Sequence, residues 1–130
     1  AAAMAIVSLR YLDEDNKRRR QISQEYISAF DSNEFINPII HDKKISSSRH
    51  LCQIVVNNQF DFIKHMQGFD ISCGVHYKNN LEYAIYEKYN NKNLDFLNSI
   101  SNKIVSLPLH LNLSDDDVNY IIKSANRFKS

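Results

Sequence analysis

Residues 49–77, RHLCQIVVNNQFDFIKHMQGFDISCGVHY, decide the fold. Arg49 to Val56 is β-branched and largely apolar, which reads as a strand. Asn57-Asn58 turn the chain. Gln59 to Gln67 then reads as a short helix with Phe60, Ile63 and Met66 facing inward and Gly68 as its C-terminal cap. Phe69 to Tyr77 reads as a second strand, in which Gly74 marks a close approach by some other group.

Upstream, residues 1–30 read as one long helix, because Met4, Ile6, Leu9, Leu12, Ile22, Tyr26 and Phe30 recur at helical spacing. Its middle, DEDNKRRR, offers the acid-before-base pairs Asp13–Lys17, Glu14–Arg18 and Asp15–Arg19, each worth about 0.2–0.5 kcal/mol to a helix. Those acids largely cancel Lys17–Arg20, which therefore reads as a solvated helix face rather than a phosphate or nucleic-acid patch. The helix opens on AAAMAIVSL, uncapped and apolar, which predicts either continuation upstream or a packing partner outside this chain. DSNEFINP (31–38) reads as a loop broken by Pro38, and HDKKISSS (41–48) as a polar stretch.

Downstream, KNNLEYAIYEKYNNKN (78–93) reads as a loop, Leu94 to Ile100 as a short helix, and Lys103 to Leu109 as a third strand. Ser114 caps a final helix whose first turn, Asp115-Asp116-Asp117, suits the positive end of the helix dipole. Val118, Ile121, Ile122, Ala125 and Phe128 form its buried stripe. The element order predicts an α+β, two-layer small domain. A long N-terminal helix leads into a sheet of about three strands, largely antiparallel and covered by helices.

Composition narrows the function. The chain of 130 residues is 43% hydrophobic and 24% charged, the profile of one globular domain. Two glycines exclude a Gly-rich phosphate cradle. A net charge of +1 argues against a nucleic-acid binder. No apolar run reaches the roughly 18 residues of a membrane span, and no signal core is visible; the expected setting, a reducing cytoplasm, follows from two cysteines that read as free thiols. Cys52 and Cys73 read as buried free thiols. His41, His50, His65, His76 and His110 include no i, i+4 pair, so no metal site is expected. Cys73 and His76, three apart on a strand, are expected to point to opposite faces and not to form a nucleophile pair.

What remains is Gly74 to Asn80, which sets the imidazole of His76, the phenol of Tyr77, the ammonium of Lys78 and two amides where the chain leaves a sheet. Tyr83 and Tyr86 add stacking surface for a sugar or a base. Arg49-His50 is a second candidate. On the residues alone, the segment also reads as an ordinary polar loop with His76 bonded to backbone.

LDEDNKRRRQISQEY (12–26), RHLCQIVV (49–56), GVHYK (74–78) and IVSLPLHLNLSDDDVNYII (104–122) together resemble the C-terminal part of the DegT/StrS-type sugar aminotransferases. These are pyridoxal-phosphate enzymes that place an amino group on a keto sugar carried by a nucleoside diphosphate. Ala2-Ala3-Met4 resembles the "QAA" with which the family opens this long helix. The resemblance implies that residues 1–30 are a linking helix from a missing large domain and residues 31–130 the aminotransferase small domain. The family's aldimine lysine, phosphate-binding residues and pyridine-binding aspartate lie upstream of this helix. Hence no catalytic, cofactor-binding or metal residue is assigned here; Lys78 and Lys103 do not match the lysine motif.

Pyridoxal phosphate is thus implied for the parent enzyme, with none expected bound to this chain, which alone is expected to be inactive. The implied partners are the large domain, the nucleotide-linked keto sugar and, in the parent, a second copy in a homodimer; neither nucleic acid nor membrane is among them. His76, Tyr77 and Lys78 match the family's "G-[VI]-H-Y" segment, which implies that they lie closest to substrate. KNNLEYAIY departs from the commonest pattern and resembles a variant, "HY[RK]xNTEYxMY", which adds Asn80, Glu82 and Tyr83 to the site. The frequent "PLHP" becomes Pro108-Leu109-His110-Leu111, a structural change. The alternative is a freestanding, non-catalytic module that binds a nucleotide sugar or a protein.

Overall fold

Ile22, Tyr26 and Phe30 recur every fourth residue, and in the computed structural model of this chain they share the buried face of α1 (Ala2–Phe30). The structure describes residues 2–42, 44–89 and 94–129. The Tyr26 and Phe30 rings stack with centroids 6.4 Å apart, and the Tyr26 hydroxyl donates to the Pro108 carbonyl at 3.0 Å. The earlier half of α1 packs on nothing described here: Met4 is 76% and Leu9 65% exposed. Arg18 does not pair back to Glu14. Its guanidinium crosses to α4 (Asp115–Ala125), meeting the Asp115 carboxylate at 2.8 Å and the Leu113 carbonyl at 2.8 Å.

The sheet is antiparallel with strands in chain order: β1 (Ile36–Pro38), β2 (Cys52–Val56) and β3 (Ile104–Leu107). β1 lies where the sequence predicts a loop. Asn33 starts it, its side-chain oxygen accepting from the Phe35 and Ile36 N–H groups at 2.8 and 3.0 Å. Pro38 is tolerated because β1 is an edge strand: the Ile39 N–H turns toward β2, bonding the Gln53 carbonyl at 3.1 Å, so the Pro38 nitrogen faces outward.

The strand expected over Phe69–Tyr77 does not form. Only Gly74 pairs with β3, through two bonds to Ser106 of 2.9 and 2.8 Å. The chain then leaves the sheet edge, because the Gln53 side-chain amide takes the His76 carbonyl at 2.8 Å.

Period-two alternation gives β2 its two faces. Cys52, Ile54 and Val56 enter the core with Val105 and Leu107. Gln53 and Ser106, paired across the strands, take the other face. The core is closed by α2 (Gln59–Gln67) and α4. Asn58 caps α2 by accepting from the Phe60 and Asp61 N–H groups. Phe62 and Met66 are the buried pair, with Ile63 packed beside them, whereas Phe60 is 70% exposed, contrary to the inward placement expected. Gly68 does end the helix, but in right-handed conformation (φ −63°); the left-handed residue is Asp70 (φ 58°), after which the Ile71 N–H returns to the Met66 carbonyl.

α4 forms as expected, with Ser114 and Asp117 in a reciprocal capping box and Val118, Ile121, Ala125 and Phe128 buried, whereas Ile122, expected in the same stripe, is only partly buried. Those Ser114 hydrogen bonds hold the Asp117 carboxyl below its ordinary range. Phe128 meets Phe62 edge-on at 5.1 Å. A short α3 (Asp95–Ile100) precedes β3. Cys52 is a buried free thiol; Cys73 is also free but only partly buried, short of the burial expected.

Candidate functional site

The site is built on the face of β2 and β3 that turns away from the core. Gly74 lies opposite Ser106, and two residues on, the His76 ring folds back over Gly74. A Cβ at Gly74 would collide with His76 Cε1 and stand 3.0 Å from its Nδ1. The close approach signalled by this glycine is therefore made by the chain's own imidazole. The His76–Tyr77 peptide is cis, and the two rings meet edge to face with centroids 5.5 Å apart.

The histidine's backbone is satisfied by Gln53, but its ring is not. Among the described residues, the buried His76 Nδ1 has no hydrogen-bond partner, and the Ser106 hydroxyl is in the same condition. Native proteins rarely leave such atoms unpaired, since each costs about 1–3 kcal/mol. Both residues line a cleft of about 450 Å³ together with His50, Ser72 and Cys73. Cys73 and His76 both border this cleft, and Cys73 also packs against the core cluster. Burial pushes the Cys73 thiol up to about 12, so it stays protonated and is no nucleophile at neutral pH.

The remaining predicted residues, Tyr77, Lys78, Asn80 and Tyr83, are exposed. Tyr77 is 80% exposed and borders a second cleft, of about 100 Å³, closed by Leu97 and Ile100 of α3. Asn79 starts a 3₁₀ turn over Asn80–Glu82 by accepting from the Leu81 N–H at 3.1 Å. That turn brings the Lys78 ammonium 3.6 Å from the Glu82 carboxylate and 5.2 Å from the centre of the Tyr83 ring. The structure therefore joins His76 to Tyr77, and Lys78 to both Glu82 and Tyr83. Asn80 is exposed and lines neither cleft.

Sequence reading missed Gln53 and Ser106. Their signal was present: each is a polar residue inside an apolar strand, at a position whose alternation points it off the core. Of the second candidate pair, His50 enters the His76 cleft, while Arg49 turns to a different depression.

Among the described residues, no three His, Cys, Asp or Glu side chains gather into a metal-binding group. Every described lysine is exposed. A Schiff-base lysine needs a desolvated ammonium, and no described lysine sits in such a setting, so no step through pyridoxal phosphate is assigned to the described residues. Among the described residues, no helix is long and apolar enough to cross a membrane.

A long helix running into a three-stranded antiparallel sheet, with an imidazole cleft at the sheet's edge, defines an α+β small domain. Residues 1–126 match the DegT/DnrJ/EryC1/StrS aminotransferase family, and the chain belongs to that family. It is 26% identical over 132 residues to dTDP-3-amino-3,6-dideoxy-alpha-D-galactopyranose transaminase of Aneurinibacillus thermoaerophilus, a match covering 98% of this chain and 35% of the relative. It is 27% identical over 128 residues to UDP-4-amino-4,6-dideoxy-N-acetyl-beta-L-altrosamine transaminase of Campylobacter jejuni, covering 93% and 34%.

Among solved structures, a putative sugar aminotransferase from Streptococcus pneumoniae superposes with a TM-score of 0.83 at 28% identity, over 93% of this chain and 33% of that one, in its PLP form. DesV of S. venezuelae shares the fold, with a TM-score of 0.90 at 21% identity over 98% of this chain and 36% of its own. The chain spans about a third of the length of these relatives.

Proposed function

We propose that this chain is the C-terminal small domain of a sugar aminotransferase, one that aminates a nucleotide-linked keto sugar with pyridoxal phosphate. A large domain outside this chain supplies the cofactor and the reacting lysine. The small domain contributes one wall of the sugar's cleft. The observation that carries this reading is the His76 cleft in a chain of this family. Its imidazole is seated on Gly74, and the buried His76 Nδ1 and Ser106 hydroxyl lack partners that a hydroxyl-rich sugar could provide. His76 and Tyr77 sit nearest the sugar; Lys78, Asn80 and Tyr83 make the outer rim. Names of relatives as transaminases of a dTDP-linked and a UDP-linked amino sugar support this substrate class. The exposed apolar half of α1 is the surface for the large domain, and the assembled enzyme is a cytoplasmic homodimer.

The test joins residues 1–130 to the large domain of the pneumococcal relative. The hybrid is expected to transaminate a nucleotide-linked keto sugar, and His76→Ala to lower kcat/KM about tenfold or more, the scale of one lost polar contact. The 130-residue chain alone, treated with pyridoxal phosphate and borohydride, is expected to give no adduct concentrated at one lysine. Such an adduct would overturn the reading. So would saturable nucleotide-sugar binding by the chain alone with no activity in the hybrid, which is the behaviour of a freestanding binding module.

A further inference from the structure

The arginine run 18–20, a solvated face by its sequence, divides three ways in the structure. Arg18 is held by Asp115 and the Leu113 carbonyl. Arg19 donates to the Asn16 side chain at 3.0 Å. Arg20 instead lines a depression of about 360 Å³ between α1 and the segment leading into β2, which Lys44 and Arg49 also line. No carboxylate lines this depression, and none of these three cations has an ion pair among the described residues. Asp42, two residues from Lys44, accepts the Lys44 backbone N–H at 2.9 Å and does not line the depression.

The rest of the lining suits an anion. Gln24, Ser46 and Ser47 supply an amide and hydroxyls beside the cations. Arg49 is half-buried and left-handed (φ 53°), a conformation unusual for a side chain of that size, and the Ser47 hydroxyl fixes it by accepting its N–H at 3.1 Å. Two guanidinium groups match the oxygens of a phosphate by paired, charge-assisted hydrogen bonds. The scarcity of glycine excludes a backbone cradle for phosphate, but it does not exclude a grip made of side chains.

We propose that Arg20, Lys44 and Arg49 form a phosphate-binding site, one that takes the phosphate or diphosphate group of a small molecule. It is separate from the His76 cleft and does not depend on the transaminase reading. Three cations gathered without a counter-charge repel one another, and a bound dianion relieves that repulsion. Two sources carry the same chemistry: free inorganic pyrophosphate, and the diphosphate of a nucleotide.

The test titrates the 130-residue chain with inorganic pyrophosphate and, separately, with uridine diphosphate at constant ionic strength, following the arginine side-chain Nε–H signals by NMR. Arg20 and Arg49 are expected to shift along one saturable curve. Arg20→Gln and Arg49→Gln are each expected to weaken binding about tenfold, the scale of a charge-assisted contact. Lys17→Gln removes the same charge from the same helix outside the depression, and is expected to change binding less than about twofold. If Arg49→Gln fails to fold, Lys44→Gln, at an exposed position, takes its place. Non-saturable shifts would overturn the proposal, as would a loss in Lys17→Gln equal to that in Arg20→Gln. Tighter binding of uridine diphosphate upholds the site and names a nucleotide as the source; equal binding upholds it and names the free anion.

Discussion

Along α1, Met4, Ile6, Val7, Leu9 and Leu12 stand in solvent, while Ile22, Ser23, Tyr26 and Phe30 are buried. Both groups have helical spacing, and the first half is the more apolar in composition. The difference is what lies across from each half. Residues 22–30 face β1, the sheet and α4; nothing in the described chain faces residues 2–12. Apolar periodicity thus announces that a helix face wants a partner without saying that the partner is in the same chain. A contiguous exposed apolar face of this kind is the usual mark of an interaction surface.

The sharpest way to break this contrast is truncation on both sides of it. Phe30→Ala is expected to destabilise the chain by about 3–5 kcal/mol in urea denaturation, as for other fully buried aromatics. Leu9→Ala is expected to stay within about 0.5 kcal/mol. Equal losses would mean that the first half is packed after all.

Alkaline pH tests the buried half chemically. Burial raises both the Tyr26 phenol and the Cys73 thiol above their ordinary values of 10.0 and 9.0. In the unfolded chain these groups ionise at their ordinary values, so stability is complete below pH 9 and falls as pH rises beyond it. The urea midpoint is therefore expected to drop between pH 8 and pH 11. A midpoint that stays flat would mean that these groups are not buried as described.

Arg18 sits at the border of the two halves. Arg18→Ala is expected to cost about 1 kcal/mol, because it removes a half-exposed ion pair and one carbonyl contact. The smallest stability effect belongs to Leu9→Lys, which is expected to leave the urea midpoint in place while reducing self-association in sedimentation. Unchanged self-association would move the sticky surface elsewhere.

The helices were largely legible in the sequence, and the reasons are local. α1, α2 and α4 carry 3.6-residue periodicity, and Ser114 bonds a backbone N–H three residues away. One side of α2 was misread because Phe62, not Phe60, stands four residues from Met66, and both spacings are present in QFDFIKHMQ. β1 was illegible. It is three residues long, contains a proline, and exists because Asn33 and the neighbouring strand hold it. The expected strand over Phe69–Tyr77 failed for the opposite reason. Its residues have strand propensity, but the Gln53 amide draws the chain off the edge after Gly74.

The candidates His76, Tyr77, Lys78 and Tyr83 are legible in the sequence as polar and aromatic groups at the end of an expected strand, and again in a family motif. Their arrangement depends on Gln53, which bonds the His76 carbonyl from 23 residues away, and on Ser106, 30 residues from His76, which pairs with Gly74 and lines the same cleft. Arg20 and Arg49 show the same limit. Each was visible, and their place around one depression was not.

β1 has a further consequence for how copies of this protein encounter one another. Its outward backbone positions are Ile36, whose N–H is occupied by Asn33, and Pro38, which has none. At the far side of the sheet, Gly74 occupies both backbone groups of Ser106. The sheet's two flanks therefore present few donors on which a foreign strand could extend it, a protection against amyloid-like stacking. A concentrated solution of this chain has its greasy helix to stick by, but not its sheet. Its aggregates should be reversible clusters that a mild detergent disperses, rather than fibres.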